Sequence, residues 1–277
     1  MAPRERGRTA PSDGVPLLLT VRAARALSGD FSLLELEWPA QWPDPLPGQF
    51  VMVRTREGTD PLWRRPLGVH DFRRTRGRAA LSLLFQVVGP TTRDLAGLGR
   101  GDTVDLLGPH GRGFTLEAGE HWLVAGGRGI APLFYLARLA RGIPLPCRVM
   151  VGGRSAGHVL RAGDLERLGC RVDIATDDGS RGKRGLVTGI LERELARLSP
   201  RRRAGLLVSA CGPHGMLAAV AALADRHGVS ARVSVDPLMA CGRGLCLGCT
   251  VPAREGYRLA CQHGPVFDAR DLAWGPA

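Results

Sequence analysis

The sequence predicts a multidomain α+β protein: an antiparallel β-barrel, then a parallel α/β domain, then a small cysteine-rich C-terminal domain. Three observations carry that expectation. From Leu17 to about Phe114, short apolar runs are broken by Gly and Pro with little helical periodicity; after Glu120, strands alternate with helices; and four of the seven cysteines fall between positions 241 and 261. The divisions expected are a disordered leader over 1–14, the barrel over 15–117, the α/β domain over 118–231 and the cysteine domain over 232–277. A chain of 277 residues, 44% hydrophobic, is long enough for two ordinary cores plus an appendage.

In the first domain, Leu17–Ala23, Phe31–Trp38, Gln49–Arg54, Leu81–Val88 and Thr103–Leu107 read as strands. Pro43, Pro45 and Pro47-Gly48 must form a loop. A series of short strands with turn signals between them is the pattern of a small antiparallel barrel. In the second domain, Trp122–Ala125 enters the glycine-rich turn Gly126-Gly127-Arg128-Gly129, and a helix follows from Ile130 through Leu139. Cys147–Val151, Val172–Ala175 and Leu206–Ala210 read as further strands and Met216–His227 as a helix, an alternation that calls for a parallel sheet. The cysteine loop and a short strand-like tail close the chain.

Charge and hydropathy exclude several classes. No apolar run approaches the ~20 residues of a membrane span. Val15–Thr20 is too short for a secretory signal, so a reducing cytoplasm is the expected location. The net charge of +12 and pI near 10.7 invite a nucleic-acid reading. However, Lys183 is the sole lysine, and the other 37 of the 38 basic residues are arginines scattered through every segment. Arg201-Arg202-Arg203 is the one compact cluster and reads as a solvated loop. The expected nucleic-acid association is therefore weak and salt-sensitive, with no specific partner of that kind.

Cys241, Cys246, Cys249 and Cys261 are spaced C-x4-C-x2-C-x11-C. That is the plant-type ligand pattern of a 2Fe-2S cluster, in which each iron takes two thiolates. Gly242, Gly244 and Gly248 let the loop fold tightly and bring N–H groups to the sulfurs. A structural zinc site also takes four thiolates but usually arrives as two short knuckles, and only one is present. A disulfide framework suits a short secreted chain better than this one. Cys147 and Cys170 read as core or edge thiols.

Gly126, Gly127 and Gly129 end a strand and open a helix, so backbone N–H groups and the helix end could receive a pyrophosphate; a plain tight turn has the same appearance. Cys211-Gly212-Pro213, with Met216, forms a second such strand end, where α/β sheets bind ligands, and Cys211 reads either as a nicotinamide contact or as a small buried side chain. In the barrel, Arg65 stands before a proline-fixed extended segment and could grip a phosphate, or make a surface ion pair. The seven histidines show no metal pairing and read as surface or loop residues. No acid–base set for a chemical substrate is visible.

Together these residues resemble the ferredoxin-reductase superfamily, and within it most closely the electron-transfer subunits of bacterial NAD-dependent dihydroorotate dehydrogenases, from about residue 17 to the end. Arg65-Pro66-Leu67 matches that family's first FAD element and departs at Gly68, where a hydroxyl is expected. Leu84-Phe85-Gln86-Val87, followed by Gly89, Thr91 and Thr92, matches the second, with Thr91 in place of a glycine. Gly108–Phe114 resembles the barrel-exit loop, Gly126–Leu133 the nucleotide-phosphate turn, and Cys211-Gly212-Pro213 with Met216 the nicotinamide-side turn. Cys261-Gln-His-Gly-Pro-Val-Phe267 completes the cysteine tail.

The resemblance implies FAD, a 2Fe-2S cluster and NAD as cofactors, a flavin being able to exchange electrons with both a one-electron and a hydride carrier. It also implies a partner, an FMN-containing catalytic subunit that oxidises dihydroorotate, in a heterotetramer with the cluster near the interface. An NAD(P)H-dependent reductase module serving a hydrogenase, sulfur reductase or oxygenase would keep the carriers and change the partner. Arg154 and Ser155, after the second α/β strand, leave room for NADP.

Overall fold

The computed structural model describes residues 16–55, 62–117, 119–142 and 146–275. The leader expected over 1–14 lies outside the described residues. Six strands, β1 (Leu17–Ala26), β2 (Phe31–Trp38), β3 (Phe50–Arg54), β4 (Arg65–Thr75), β5 (Arg78–Gln86) and β6 (Thr103–His110), close an antiparallel barrel in the order β1-β2-β5-β4-β3-β6. Register shifts at Val21/Ala23, Val69/Asp71 and Phe50/Met52 supply the bends that closure needs. Inward side chains such as Val21, Leu34, Leu36, Val51, Val53, Leu81 and Leu83 form a dry core. Between β5 and β6 lies a short helix, α1 (Pro90–Ala96), where the sequence suggests only a turn. Proline at its first position, with its φ already helical, starts it.

The α/β domain follows with β7 (Glu120–Gly126), a turn of 3-10 helix over Gly127–Gly129, α2 (Ile130–Arg141), β8 (Cys147–Gly153), α3 (Ala162–Arg167), β9 (Arg171–Thr176), β10 (Lys183–Arg184), α4 (Val187–Ala196), α5 (Pro200–Ala204), β11 (Leu206–Cys211), α6 (His214–His227) and β12 (Ser230–Ser234). Arg201–Arg203 thus form a helical turn rather than a loop. The cysteine segment adds β13 (Thr250–Ala253) paired with β14 (Gly256–Leu259), then α7 (Ala260–His263) and β15 (Val266–Asp268).

The main sheet runs β10-β9-β8-β7-β11-β12-β15, parallel throughout except that β15 joins β12 antiparallel. Its strands are apolar on both faces, as a sheet covered on both sides demands. Trp122, Val124, Met150 and Val208 pack toward α4 and α6, whereas Leu123, Ala125, Val149 and Val151 pack toward α2 and α3.

Helix α2 is buried almost all round. Leu133, Phe134 and Leu136 belong to the sheet core, while Tyr135 enters the barrel core. The strand against it is β4. His70 Nδ1 donates to Ala131 O at 2.9 Å, its ring stacks 4.7 Å from Phe134, and Arg138 Nε donates to Asp71 at 2.6 Å. This corrects the reading of the histidines as surface or loop residues. His70 and His121 lie on strands and are each 1% exposed, each spending a ring N–H on a backbone carbonyl, His121 on Glu117 O at 2.8 Å.

Candidate functional site

The cysteine loop coils tightly. Gly242, Gly244 and Leu247 all have left-handed backbone, and a Cβ on Gly244 would strike the Gln262 amide, whose Nε2 donates to Arg243 O at 3.2 Å. That curl turns the N–H groups of Arg243 and Cys246 onto Cys241 Sγ, both at 3.4 Å, and the Gly248 N–H onto Cys246 Sγ at 3.5 Å. Partial burial pushes the Cys241 thiol up, but the backbone donors outweigh it and bring it down to about 7. Backbone donors of this kind stabilise a thiolate, the form that binds metal.

Cys249 and Cys261 are buried, with their sulfurs 3.2 Å apart; burial, then the neighbouring Cys249, pushes Cys261 up to about 12. The four sulfurs therefore form two pairs, 241 with 246 and 249 with 261. Two pairs suit two irons.

The loop rests on the barrel. A Cβ on Gly242 would run into Met52 of β3, and Met52 pairs across the ladder with Pro66 of β4. The barrel-exit loop also touches the tail, where Arg112 N donates to Gly264 O at 2.5 Å. At this junction sits His110, unsuspected from sequence. Burial, then the positive Arg243, lowers it to about 4, and its Nε2 is buried without a partner.

On β4, Arg65, Pro66, Leu67 and Gly68 face β3 in register with Val53, Met52, Val51 and Phe50. The two adjacent arginines have different commitments. Arg64 grips Asp105 through Nη1 at 2.8 Å and Nη2 at 2.6 Å, whereas Arg65 contacts only the Trp63 carbonyl among the described residues. A Cβ on Gly68 would come no closer than 4.0 Å to Pro132, so a side chain there has room.

The 85–92 segment is mixed. Phe85 is inside the barrel core, Gln86 Nε2 donates to Asp30 at 2.8 Å, and Val87 is partly buried. Thr92 Oγ1 receives the N–H groups of Val88 and Gly89 at 2.9 and 3.0 Å, while Thr91 Oγ1 is buried with no partner.

The two glycine turns of the α/β domain come together. β7 and β11 are neighbours with Ala125 opposite Cys211, and the chain order reverses between them, which is the switch point where such sheets bind ligands. A Cβ on Gly126 would meet Met216 Sδ at 2.7 Å and Pro213 at 2.8 Å; one on Gly129 would collide with the Cys211 carbonyl. Gly212 likewise touches Met216. Gly127, with φ +52°, has open space before it. Gly126 and Gly129 let the turns interlock, and Gly127 leaves a face for an approaching group. Burial pushes the Cys211 thiol up to about 12, so it is a neutral wall of this crevice. Arg154, at the end of β8, is exposed.

The family model for the iron-sulfur cluster binding domain of dihydroorotate dehydrogenase B matches residues 236–273. The dihydroorotate dehydrogenase B (NAD(+)) electron transfer subunit of Desulforamulus reducens is 37% identical over 235 residues, covering 83% of this chain and 87% of its own. That of Caldanaerobacter subterraneus subsp. tengcongensis is 33% identical, covering 91% and 96%. Among solved structures, the NADH-dependent reduced ferredoxin-NADP oxidoreductase, studied for flavin-based electron bifurcation, superposes with a TM-score of 0.80 at 27% identity, covering 94% of this chain and 91% of that one.

Proposed function

Since the chain belongs to the family of dihydroorotate dehydrogenase B (NAD(+)) electron transfer subunits, we propose that it relays electrons from the FMN of a catalytic subunit, where dihydroorotate is oxidised, through a 2Fe-2S cluster and FAD to NAD+ in pyrimidine biosynthesis. One observation carries this reading. The cysteine loop sits on β3 through Met52, β3 pairs with β4, and β4 packs on α2, which starts at the glycine turn. Three candidate sites are thereby strung along one packed path.

Bound there, the groups supply one-electron exchange at iron, one- or two-electron exchange at flavin and hydride exchange at nicotinamide. The residues hold and orient them. Cys241, Cys246, Cys249 and Cys261 hold the irons in pairs. Arg65 grips the FAD pyrophosphate while the backbone of Pro66 to Gly68 and the 85–92 segment line the flavin. Gly127 admits the dinucleotide pyrophosphate, and Cys211 to Met216 wall the nicotinamide end. We take the division of labour as 15–117 for flavin, 118–231 for dinucleotide and 232–277 for the cluster, with β12 (Ser230–Ser234) spanning the last boundary.

The partner docks over the cluster. Leu238, Leu245, Leu247 and Tyr257, between 60% and 90% exposed, are four of the ten large hydrophobics exposed among the described residues, and all lie in the cysteine segment. Exposed apolar groups on the segment that carries the cluster ligands favour a docking face there. We place two such chains with two catalytic subunits in a heterotetramer. All seven cysteines are free and no described helix is long and apolar enough to cross a membrane, in keeping with a reducing cytoplasm.

Anaerobic purification with iron, sulfide and flavin quantitation tests the reading. About two irons, two sulfides and one FAD per chain are expected. Zinc without flavin would overturn it. The likeness to the NADH-dependent oxidoreductase favours one other reading, a reductase module with a different electron acceptor. Co-purification decides, since an FMN subunit oxidising dihydroorotate supports the first reading and any other flavoprotein or ferredoxin partner the second.

A further inference from the structure

The carboxyl ends of β7 and β11 form the crevice described above, and a second concavity lies at the opposite edge of the same sheet. A cavity of about 350 Å³ opens among residues at the amino ends of β7, β8 and β9 and at the ends of α2 and α4. The length of β7 puts it roughly 20 Å from the glycine turns.

Its charge is unbalanced. Five arginines line it, with Glu120 and Glu194 as the lining carboxylates and Asp173 bonded behind. Arg202 pairs with Glu120 at 2.7 Å and Arg197 with Glu194 at 3.1 Å. Arg148 reaches both Asp173, at 2.6 Å, and Glu194, at 2.5 Å. Arg171 approaches Asp173 only to 3.9 Å, and Arg141 donates only to the Leu168 carbonyl, at 3.3 Å. Five positive groups against three negative ones leave an excess of two.

Arg148 is the anchor. It is 6% exposed, packs its guanidinium over the Trp122 ring at 5.2 Å, and leaves Nη2 buried with no partner. A buried donor of a charged group left unmet is destabilising, so its presence beside two weakly committed arginines calls for an acceptor. Planar guanidinium forks match tetrahedral oxyanions.

We propose that this cavity binds a small dianion of the phosphate class, free or as a monoester, held by Arg148, Arg141 and Arg171 and separate from the electron path. The cavity lies in the size range of small-ligand sites. The bland alternative is an ion-pair network wetted by water alone.

The test is calorimetric titration of the holoprotein, saturated with NAD+, with inorganic phosphate and separately with glycerol phosphate at constant ionic strength. Saturable binding of one anion per chain is expected. Arg141→Gln and Arg171→Gln, both on exposed side chains, should each weaken it about tenfold without shifting the anion-free melting temperature. Tighter binding of the monoester would assign a metabolite ester, and tighter binding of phosphate the free ion. Absence of saturable heat, or binding that survives the Arg141→Gln/Arg171→Gln double change, overturns the proposal.

Discussion

Gly127 and Gly129 stand two residues apart and answer different demands. Gly127 holds a left-handed conformation with open space before it, so Gly127→Ala should be less stable by about 1–2 kcal/mol and still fold. At Gly129 the added methyl meets the Cys211 backbone, and the two turns must separate. Gly129→Ala should be less stable by about 3 kcal/mol and lose NAD binding, read by urea melts and by NADH titration. Arg64 and Arg65 make a similar contrast. Arg64→Gln should lower the melting temperature by breaking the Asp105 grip, whereas Arg65→Gln should leave the flavin-free melt unchanged and lower flavin occupancy. Gly68→Ser has room for its side chain and should tighten flavin binding about fivefold, the worth of one added hydrogen bond. Spacing exposes the four cysteines in the sequence because loop ligands are local. Arg64 and Arg65 look alike there because the carboxylate that separates them is Asp105, on another strand.

His70 shows the same limit and gives a pH prediction. Burial is the main cause that lowers it from 6.5 to about 4, with Arg161 adding and the Ala131 carbonyl, Asp71 and Asp164 opposing. Its folded pKa lies below its unfolded one, so the neutral ring's contribution is complete above pH 6.5 and is lost as pH falls toward 4. Between pH 7 and pH 5 the loss is about 2 kcal/mol. Urea melts of the wild type and His70→Gln should diverge in pH slope by that amount, and equal slopes would refute the assignment.

Among the elements, those dense in apolar residues and bounded by turn residues were the legible ones. β8, Cys-Arg-Val-Met-Val-Gly-Gly, is buried almost throughout because both its faces are covered, and Arg148 is its one charged residue. β2 alternates only in its second half, where Leu34, Leu36 and Trp38 face the barrel core; its first four residues are all buried, with Phe31 and Leu33 in the core shared with α2. β4 escaped because it serves three environments in eleven residues: pairing with β3 at Arg65–Gly68, the α2 interface at His70–Phe72, and solvent at Arg73–Thr75. No single period fits it. α4 escaped although Val187, Ile190, Leu191 and Leu195 mark one buried face, since Gly189 and four charged or polar neighbours interrupt the pattern. Helix α2 joins two cores, which makes a prediction at this scale. Phe134, sandwiched by His70 and by Arg161 at 4.6 Å, supports both. Phe134→Ala should be less stable by about 3–5 kcal/mol, and barrel and sheet should still melt in one transition by fluorescence and circular dichroism.

For the whole molecule, the order of domains was readable because texture changes along the chain, from short strands to alternating strands and helices to cysteines. Their mutual arrangement was not, since it rests on contacts such as Gly242 on Met52 and Gly111 on Gly264 that no local pattern announces. The exposed apolar set near the cluster belongs to this scale. Leu245→Ser with Leu247→Ser should leave visible absorption of the cluster intact and weaken assembly with the catalytic subunit by about tenfold, measured by analytical ultracentrifugation.

The last strand, β15, lies beyond the final cysteine yet hydrogen-bonds to β12 of the preceding domain. During synthesis, a chain that has emerged only as far as Cys261 already owns every thiolate but leaves β12 as a bare sheet margin, a template for sticking to other chains. Metal loading and burial of that margin are therefore decoupled in time by a handful of residues. Chains ending near Cys261, with or without iron, should be more prone to aggregate than the full chain, and the closing strand acts as the molecule's own seal of completion.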